Sequence, residues 1–135
     1  MAYTVEFVSP ESTLYSGQAV QVVARTRGGG DIAFLQGHQP FIGSLLTCEV
    51  KVTEEGGDER RFAVRGGFVS VAGSMAQTTV TVLSDAAQDA SEIDAAAARR
   101  DLEEAQQELA SNPNDPYAKD NLRWAEVRLA ILGAE

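Results

Sequence analysis

The side chains best suited to chemistry gather in residues 28–46, GGGDIAFLQGHQPFIGSLL, around the chain's only histidine, His38. Acid–base work by His38 needs a carboxylate placed against it, and a nucleophilic mechanism needs an activated serine or cysteine as well. Asp31 and Ser44 would have to supply everything. Glycine-rich turn chemistry from Gly37 and Pro40 explains the region more simply, with His38 shaping a turn or touching a partner. GGGD at 28–31 is followed by no helical pattern, so it lacks the positive helix end that phosphate loops use, and no G-x-x-x-x-G-K-[ST] segment exists. A metal would find only scattered carboxylates. Cys48, the only cysteine, excludes an internal disulfide and a cysteine-based metal cluster, and it reads as a buried, inert thiol. Nothing here makes an enzyme of the chain by itself.

The elements that carry these residues follow from composition and pattern. At 135 residues the chain suits one ordinary domain, or a small domain with an appendage. Hydrophobic content of 44% with 23% charged residues indicates a folded, soluble protein. No run reaches the roughly 18 apolar residues of a membrane span, and the N-terminus, MAYTVEFVSPES, has no export-signal pattern. The net charge of −9 argues against nucleic acid or anionic lipid as direct partners. That charge is uneven: residues 1–83 carry 8 acidic and 6 basic side chains, residues 84–135 carry 12 and 5.

The texture changes at the same point, giving domains at 1–84 and 85–135. Before Ser84, the runs YTVEFV, QAVQVVART, CEVKVT, RFAVR, GFVSV and TTVTVL alternate apolar with polar residues and are punctuated by Gly and Pro. They predict an antiparallel sandwich or flattened barrel. After Ser84 alanine takes over. Ser91 to Asp94 reads as an S-x-x-D capping box, followed by a helix with a stripe of Ala95, Ala98, Leu102, Ala105 and Leu109. SNPNDP breaks that helix, and Asp115 with Pro116 opens a second one, striped by Ala118, Leu122, Ala125, Leu129 and Leu132. The two stripes predict an antiparallel helical hairpin. Trp124, Val127 and Ile131 form a further stripe on the second helix. It either packs on the β domain or is a surface for another subunit, and both hold if the hairpin moves.

Several of these segments together resemble the epsilon subunit family of F-type (rotary) ATP synthases, which corresponds to delta in mitochondria. GDIAFLQGHQPFIGSL is similar to the family's G-x-[FIL]-[GA]-[IVF]-L-x-G-H-x-P-[FL] segment, and FAVRGGFVSV to its V-x-G-G-F-[VL]-x-V segment. TVTVLSDAAQ and the EID helix start follow in family order. The resemblance implies an α+β chain: an N-terminal β-sandwich of about ten short strands and a C-terminal two-helix hairpin. It implies a non-catalytic central-stalk subunit on the gamma foot beside the c-ring, at the cytoplasmic face of the plasma membrane without inserting into it. That subunit couples proton flow to ATP synthesis, and its hairpin reaches along gamma towards the alpha and beta subunits to impede ATP hydrolysis. The gamma and c-ring side would carry Asp31, Gln36, His38 and Phe41. The hairpin contact surface would carry Arg99, Arg100, Arg123, Trp124, Val127, Arg128 and Ile131. Two helices of about 28 Å would span about 55 Å if laid end to end. Some bacterial members bind ATP through an [IL]-D-x-x-R-A motif. Its remnant here is Ile93-Asp94 with Ala97 at the arginine position, which implies weak or no ATP binding and no other cofactor. The competing readings are a stand-alone nucleotide-sensing module and a ligand-binding or hydrolytic β-sandwich.

Overall fold

The computed structural model describes residues 2–27, 30–74 and 77–133, so the first two glycines of GGGD lie outside the described residues. Nine strands come first: β1 (Tyr3–Val8), β2 (Thr13–Thr26), β3 (Gly30–Phe34), β4 (Phe41–Leu45), β5 (Cys48–Glu54), β6 (Glu59–Val64), β7 (Gly67–Ser74), β8 (Gln77–Leu83) and β9 (Ala87–Asp89). A single 3-10 turn at Ala90–Glu92 leads into helices α1 (Ala95–Ser111) and α2 (Pro116–Ile131). The alternating runs of the sequence thus become strands, and the alanine-rich segment becomes the hairpin.

Hydrogen bonding runs in the order β1-β8-β7-β4-β2-β5-β6-β9, with β3 on β2 and a further β1–β2 pairing. The 14-residue β2 is long enough to serve both layers. Its first half pairs with β1 and its second half with β3 and β5. An irregularity at Val20, between Ala19 and Gln21, falls where the partners change, as a bulge does where a strand must bend. One pairing corrects the all-antiparallel expectation: β1 and β8 run parallel. Parallel neighbours need a long crossover, and six intervening strands provide it.

Period-two alternation then puts one set of side chains between the layers. Tyr3, Val5 and Phe7 of β1 face inward, and Val69 and Val71 of β7 and Val80 and Val82 of β8 do the same. They meet Val22, Val50, Val52, Phe62 and Val64 from the other layer in one core. Phe7, Tyr15 and Phe62 form an aromatic trio with centroids 4.5–5.6 Å apart. The Tyr3 hydroxyl ties the core edge to β3 by donating to the Phe34 carbonyl. Gly67 opens β7 at φ +108°, where a Cβ would stand 1.9 Å from the Leu83 carbonyl oxygen. The second glycine of the G-G-F segment is therefore required by the close approach of β8.

The hairpin starts differently from the sequence reading. Ser91 is not the cap of α1. Asp89 caps the 3-10 turn, accepting from the Ser91 amide, while Glu92 reaches back to the Asp89 amide. Asp94 is the N-cap of α1, accepting from Ala96 and Ala97. The difference has a physical cause. β9 extends the sheet beyond Ser84 by pairing with β6, and Arg60 holds Asp89 at 3.0 Å, so the chain stays fastened to the sandwich to that point. Asp115 caps α2 with Pro116 in its first turn, as the sequence indicated. Leu132 falls just beyond α2 as its C-cap, so it lies outside the helix whose stripe it was expected to complete.

Candidate functional site

The histidine region is a turn. After β3 the chain reverses through Leu35–His38, where the His38 amide donates to the Leu35 carbonyl and the Gly37 amide to Thr78 Oγ1. Gly37 takes φ +84°, which a side chain would resist. The imidazole stands edge-on to Phe34 at 5.1 Å and to Phe41 at 6.1 Å, with Nδ1 2.8 Å from the Gln39 carbonyl. Gln36 is half-buried in the same turn, and Phe41 begins β4 with its ring against Phe34. Asp31 does not join them. It lies three residues before Phe34, about 10 Å along the strand. Its carboxylate is held by Arg25 across the β2–β3 pairing at 2.9 Å. That hydrogen bond pulls the Asp31 carboxyl below its ordinary pKa. The four residues grouped by the sequence therefore separate: Gln36, His38 and Phe41 share one loop end, while Asp31 borders a groove lined by Arg123 and Val127 of α2. Cys48 also lines that groove. Burial raises its pKa, so the sulfur stays a thiol. Among the described residues, no group of three or more His, Cys, Asp or Glu side chains is placed to hold a metal.

The second region is the seat of the hairpin. On β6, Phe62 and Val64 face the core, so Ala63 and Arg65 face outward. Ala63 is nevertheless fully buried, because Trp124, Val127 and Ile131 of α2 lie on it together with Ile93, Ala86 and Ala90. The leftover stripe of the second helix thus packs on the β domain of its own chain. Polar fasteners surround it. Arg65 reaches Asp120 at 2.6 Å and Asn121 at 2.6 Å, and Arg123 donates to the Thr47 carbonyl at 3.2 Å. Two guanidinium groups approach the Trp124 ring, Arg65 at 5.9 Å and Arg128 at 5.1 Å from its centroid. Arg128 is itself buried and pairs with Asp101 of α1 at 2.8 Å, joining the two helices. Arg99 and Arg100 stand exposed on α1. Ile93 belongs to the apolar seat, and Asp94 is fully engaged as a cap. Sequence reasoning passed over Ala63, Arg65, Asp101 and Asp120. The alternation of FAVR marks Ala63 and Arg65 as outward, but not what covers them.

The third region is the opposite outer face, formed by β4, β7, β8 and β1. Register places Ile42 beside Ser70, Ser44 beside Phe68, Phe68 beside Leu83, and Leu83 beside Val8. Further outward positions are Ala72, Gln77, Thr79, Thr81, Thr4 and Glu6. Among the described residues of these four strands, Glu6 is the one charged side chain on this face. Ile42 is 77% exposed, Phe68 53% and Leu83 45%. The Asp31–His38 pair that a catalytic reading required is not assembled. What the fold presents is an apolar, nearly uncharged sheet surface and a hairpin packed on the other side.

An exposed apolar sheet face is a feature of proteins that meet other proteins. The comparisons place the chain in a family of such subunits. Residues 2–90 match the family model described as ATP synthase, Delta/Epsilon chain, beta-sandwich domain. The chain is 38% identical over 130 residues to the ATP synthase epsilon chain of Streptomyces avermitilis, covering 96% of this chain and 94% of that one. It is 39% identical over 132 residues to the epsilon chain of Alkalilimnicola ehrlichii, covering 97% and 91%. A chain in the mitochondrial ATP synthase structure of Euglena gracilis shares the fold, with a TM-score of 0.70 at 22% identity, over 98% of this chain and 78% of that one. The chain belongs to the ATP synthase delta/epsilon chain family: it is a non-catalytic, central-stalk subunit of an F-type ATP synthase. No described helix is long and apolar enough to cross a membrane.

Trp124 is the only tryptophan, so its fluorescence reports directly on the seat. Replacing Arg65 with alanine removes a half-exposed ion pair and one stacked cation, worth together about 1 kcal/mol of docking. The expected result is a red-shifted Trp124 emission at unchanged β-sheet circular dichroism. An unshifted spectrum would show that Arg65 does not hold the hairpin down.

Proposed function

We propose that the outer face of β4, β7, β8 and β1 is the surface by which the chain grips the gamma subunit, with the Leu35–Pro40 loop end turned towards the c-ring. The observation that carries this reading is the uncovered cluster of Ile42, Phe68 and Leu83 on a face with one charge. Exposed apolar patches of this kind mark protein interfaces, and their burial supplies the affinity. The opposite outer face is covered by the chain's own α2 and is not available in this state. Held there at the cytoplasmic face of the plasma membrane, the sandwich turns with gamma and the c-ring and helps couple proton flow to ATP synthesis.

The hairpin supplies regulation. Its seat consists of a few apolar side chains and partly exposed ion pairs, which a neighbouring subunit can replace with equivalent contacts. Leaving the sandwich frees Trp124, Val127 and Ile131 to pack along gamma, and brings the exposed Arg99 and Arg100 towards the alpha and beta subunits, where the hairpin restrains ATP hydrolysis. Nucleotide is not the trigger in this reading. The cleft between the helices, about 470 Å³, is lined by Asp101, Glu104, Glu108 and Asp115, and its two cations, Arg65 and Arg128, already hold carboxylates. Phosphates would enter a negative site with no free cation.

Reconstitution of the synthase tests the docking and the regulation together. Ile42→Asp with Phe68→Asp should leave the chain folded and weaken its capture by the gamma-containing complex by about 100-fold, since two carboxylates would be desolvated. A chain ending at Glu92, which keeps every strand, should dock normally and raise ATP hydrolysis. Undiminished capture by the double variant would refute the assigned face, and unchanged hydrolysis would refute the regulatory role. Calorimetry of the intact chain with ATP should give no saturable heat below about 1 mM; micromolar binding would overturn the nucleotide-independent reading.

A further inference from the structure

Register arranges the apolar outer face in rows across its strands. Val8, Leu83, Phe68 and Ser44 stand side by side in one row, and Ser16, Glu6, Thr81, Ser70 and Ile42 form the next. The neighbours of Glu6 across the sheet are thus Ser16 and Thr81, and along β1 on the same face they are Thr4 and Val8, all without charge. Glu6 is half-buried, and among the described residues it forms no ion pair or hydrogen bond. The strand carboxylates Asp31, Glu49, Glu54 and Asp89, by contrast, each meet an arginine of this chain.

Local chemistry does not call for glutamate at this place. β1 is paired on both sides, to β2 and to β8, and such a strand favours β-branched or aromatic residues over glutamate. A residue that breaks the local rule with no compensation inside its own chain marks a contact outside it. The apolar side chains around it supply affinity but little direction, because the hydrophobic effect follows buried area and tolerates sliding and rotation. A charge behaves in the opposite way. Once a partner excludes water, a lone carboxylate is strongly unfavourable, whereas one that faces a cation holds the register. Glu6 lies about 14 Å from Ile42, three strand spacings along one row, which is far enough off centre to fix rotation as well as position. We propose that Glu6 is the specificity-determining residue of this face: it receives one lysine or arginine of the docked gamma subunit, and that pair sets which partner is accepted and at what angle. The Ser16 and Thr81 hydroxyls stand one strand away on either side, placed to complete the hydrogen bonding of the pair. This rests on the reading that the face grips gamma.

Capture of the full chain by the gamma-containing complex across a salt series, together with thermal unfolding of the free chain, tests the pair. Glu6→Gln keeps the shape and removes the charge. It should bind about tenfold more weakly at low salt, with a shallower salt dependence, because the cation of gamma is left unpaired. The same variant should melt no lower than the parent, since the free chain gives Glu6 no partner to lose. Weaker binding at undiminished stability is a result that a merely structural glutamate would not give. Glu6→Lys should lose about 100-fold, and one exchange of a lysine or arginine for glutamate in gamma should restore its capture. Parental affinity and salt dependence in Glu6→Gln, or failure of every such exchange to restore Glu6→Lys, would overturn the pair. Ile42→Asp with Phe68→Asp, run alongside, separates that failure from failure of the face. If the double variant still loses capture, only the role of Glu6 is lost; if it binds undiminished, the docking reading fails and the proposal with it.

Discussion

Alternation along a strand obliges a two-layer sandwich to present two outer faces, and in this chain the two differ in chemistry. One face, on β5 and β6, carries Glu49, Lys51, Arg61 and Arg65 around Ala63, and the chain covers it with its own α2. The other, on β4, β7, β8 and β1, carries Ile42, Phe68 and Leu83 among small residues and one carboxylate, and these three side chains stay exposed among the described residues. The inner faces share one core, so neither outer face is needed to hold the sandwich together. Both are free to serve contacts outside it: one takes the hairpin of the same chain, and the other is the face proposed here for a separate protein.

Charge is distributed to match. The C-terminal segment carries most of the net charge of −9, and it lies on the face where Lys51, Arg61 and Arg65 are found. Arg65 bridges to Asp120, and Arg61 stays with Glu49 at 2.6 Å. Arg60 ties Tyr15, Glu54 and Asp89 together at the strand that leads into the hairpin. At Asp89, burial opposes ionisation, but hydrogen bonds from Ser91 and the charge of Arg60 outweigh it and lower the pKa. The root of the hairpin is thus fixed by charge and capping, while its body is held by a small apolar seat and screened pairs. Base and body of the hairpin are held by different means, charge and capping at the one and buried apolar contact at the other.

Much of this was legible in the sequence because it depends on local pattern. Period-two runs became strands, the Ala/Leu stripes became a hairpin, and Asp115-Pro116 opened the second helix where helix-start chemistry placed it. What escaped depends on which distant segments meet. The parallel β1–β8 pair joins residues more than seventy positions apart, and no local signal encodes its direction. β9 was absorbed into the linker because three residues show no period. Asp94 took the capping role assigned to Ser91 because β9 and Arg60 hold the preceding turn, again a tertiary cause. Asp31 and His38 looked like neighbours in the chain, yet β3 sets them apart, and each is occupied by other partners. Ala63 is the clearest case. An alanine facing outward on a strand says nothing until a helix is found lying on it.

The central claim is that the apolar outer face with its single carboxylate, and not the histidine loop or the hairpin seat, is the chain's principal docking surface. Hydroxyl-radical footprinting of the chain alone and within the intact synthase tests this side chain by side chain. The account predicts that Ile42, Phe68 and Leu83 react readily in the free chain and are protected together in the assembled enzyme. If all three keep their free reactivity in the complex while protection appears elsewhere on the sandwich, the account is contradicted.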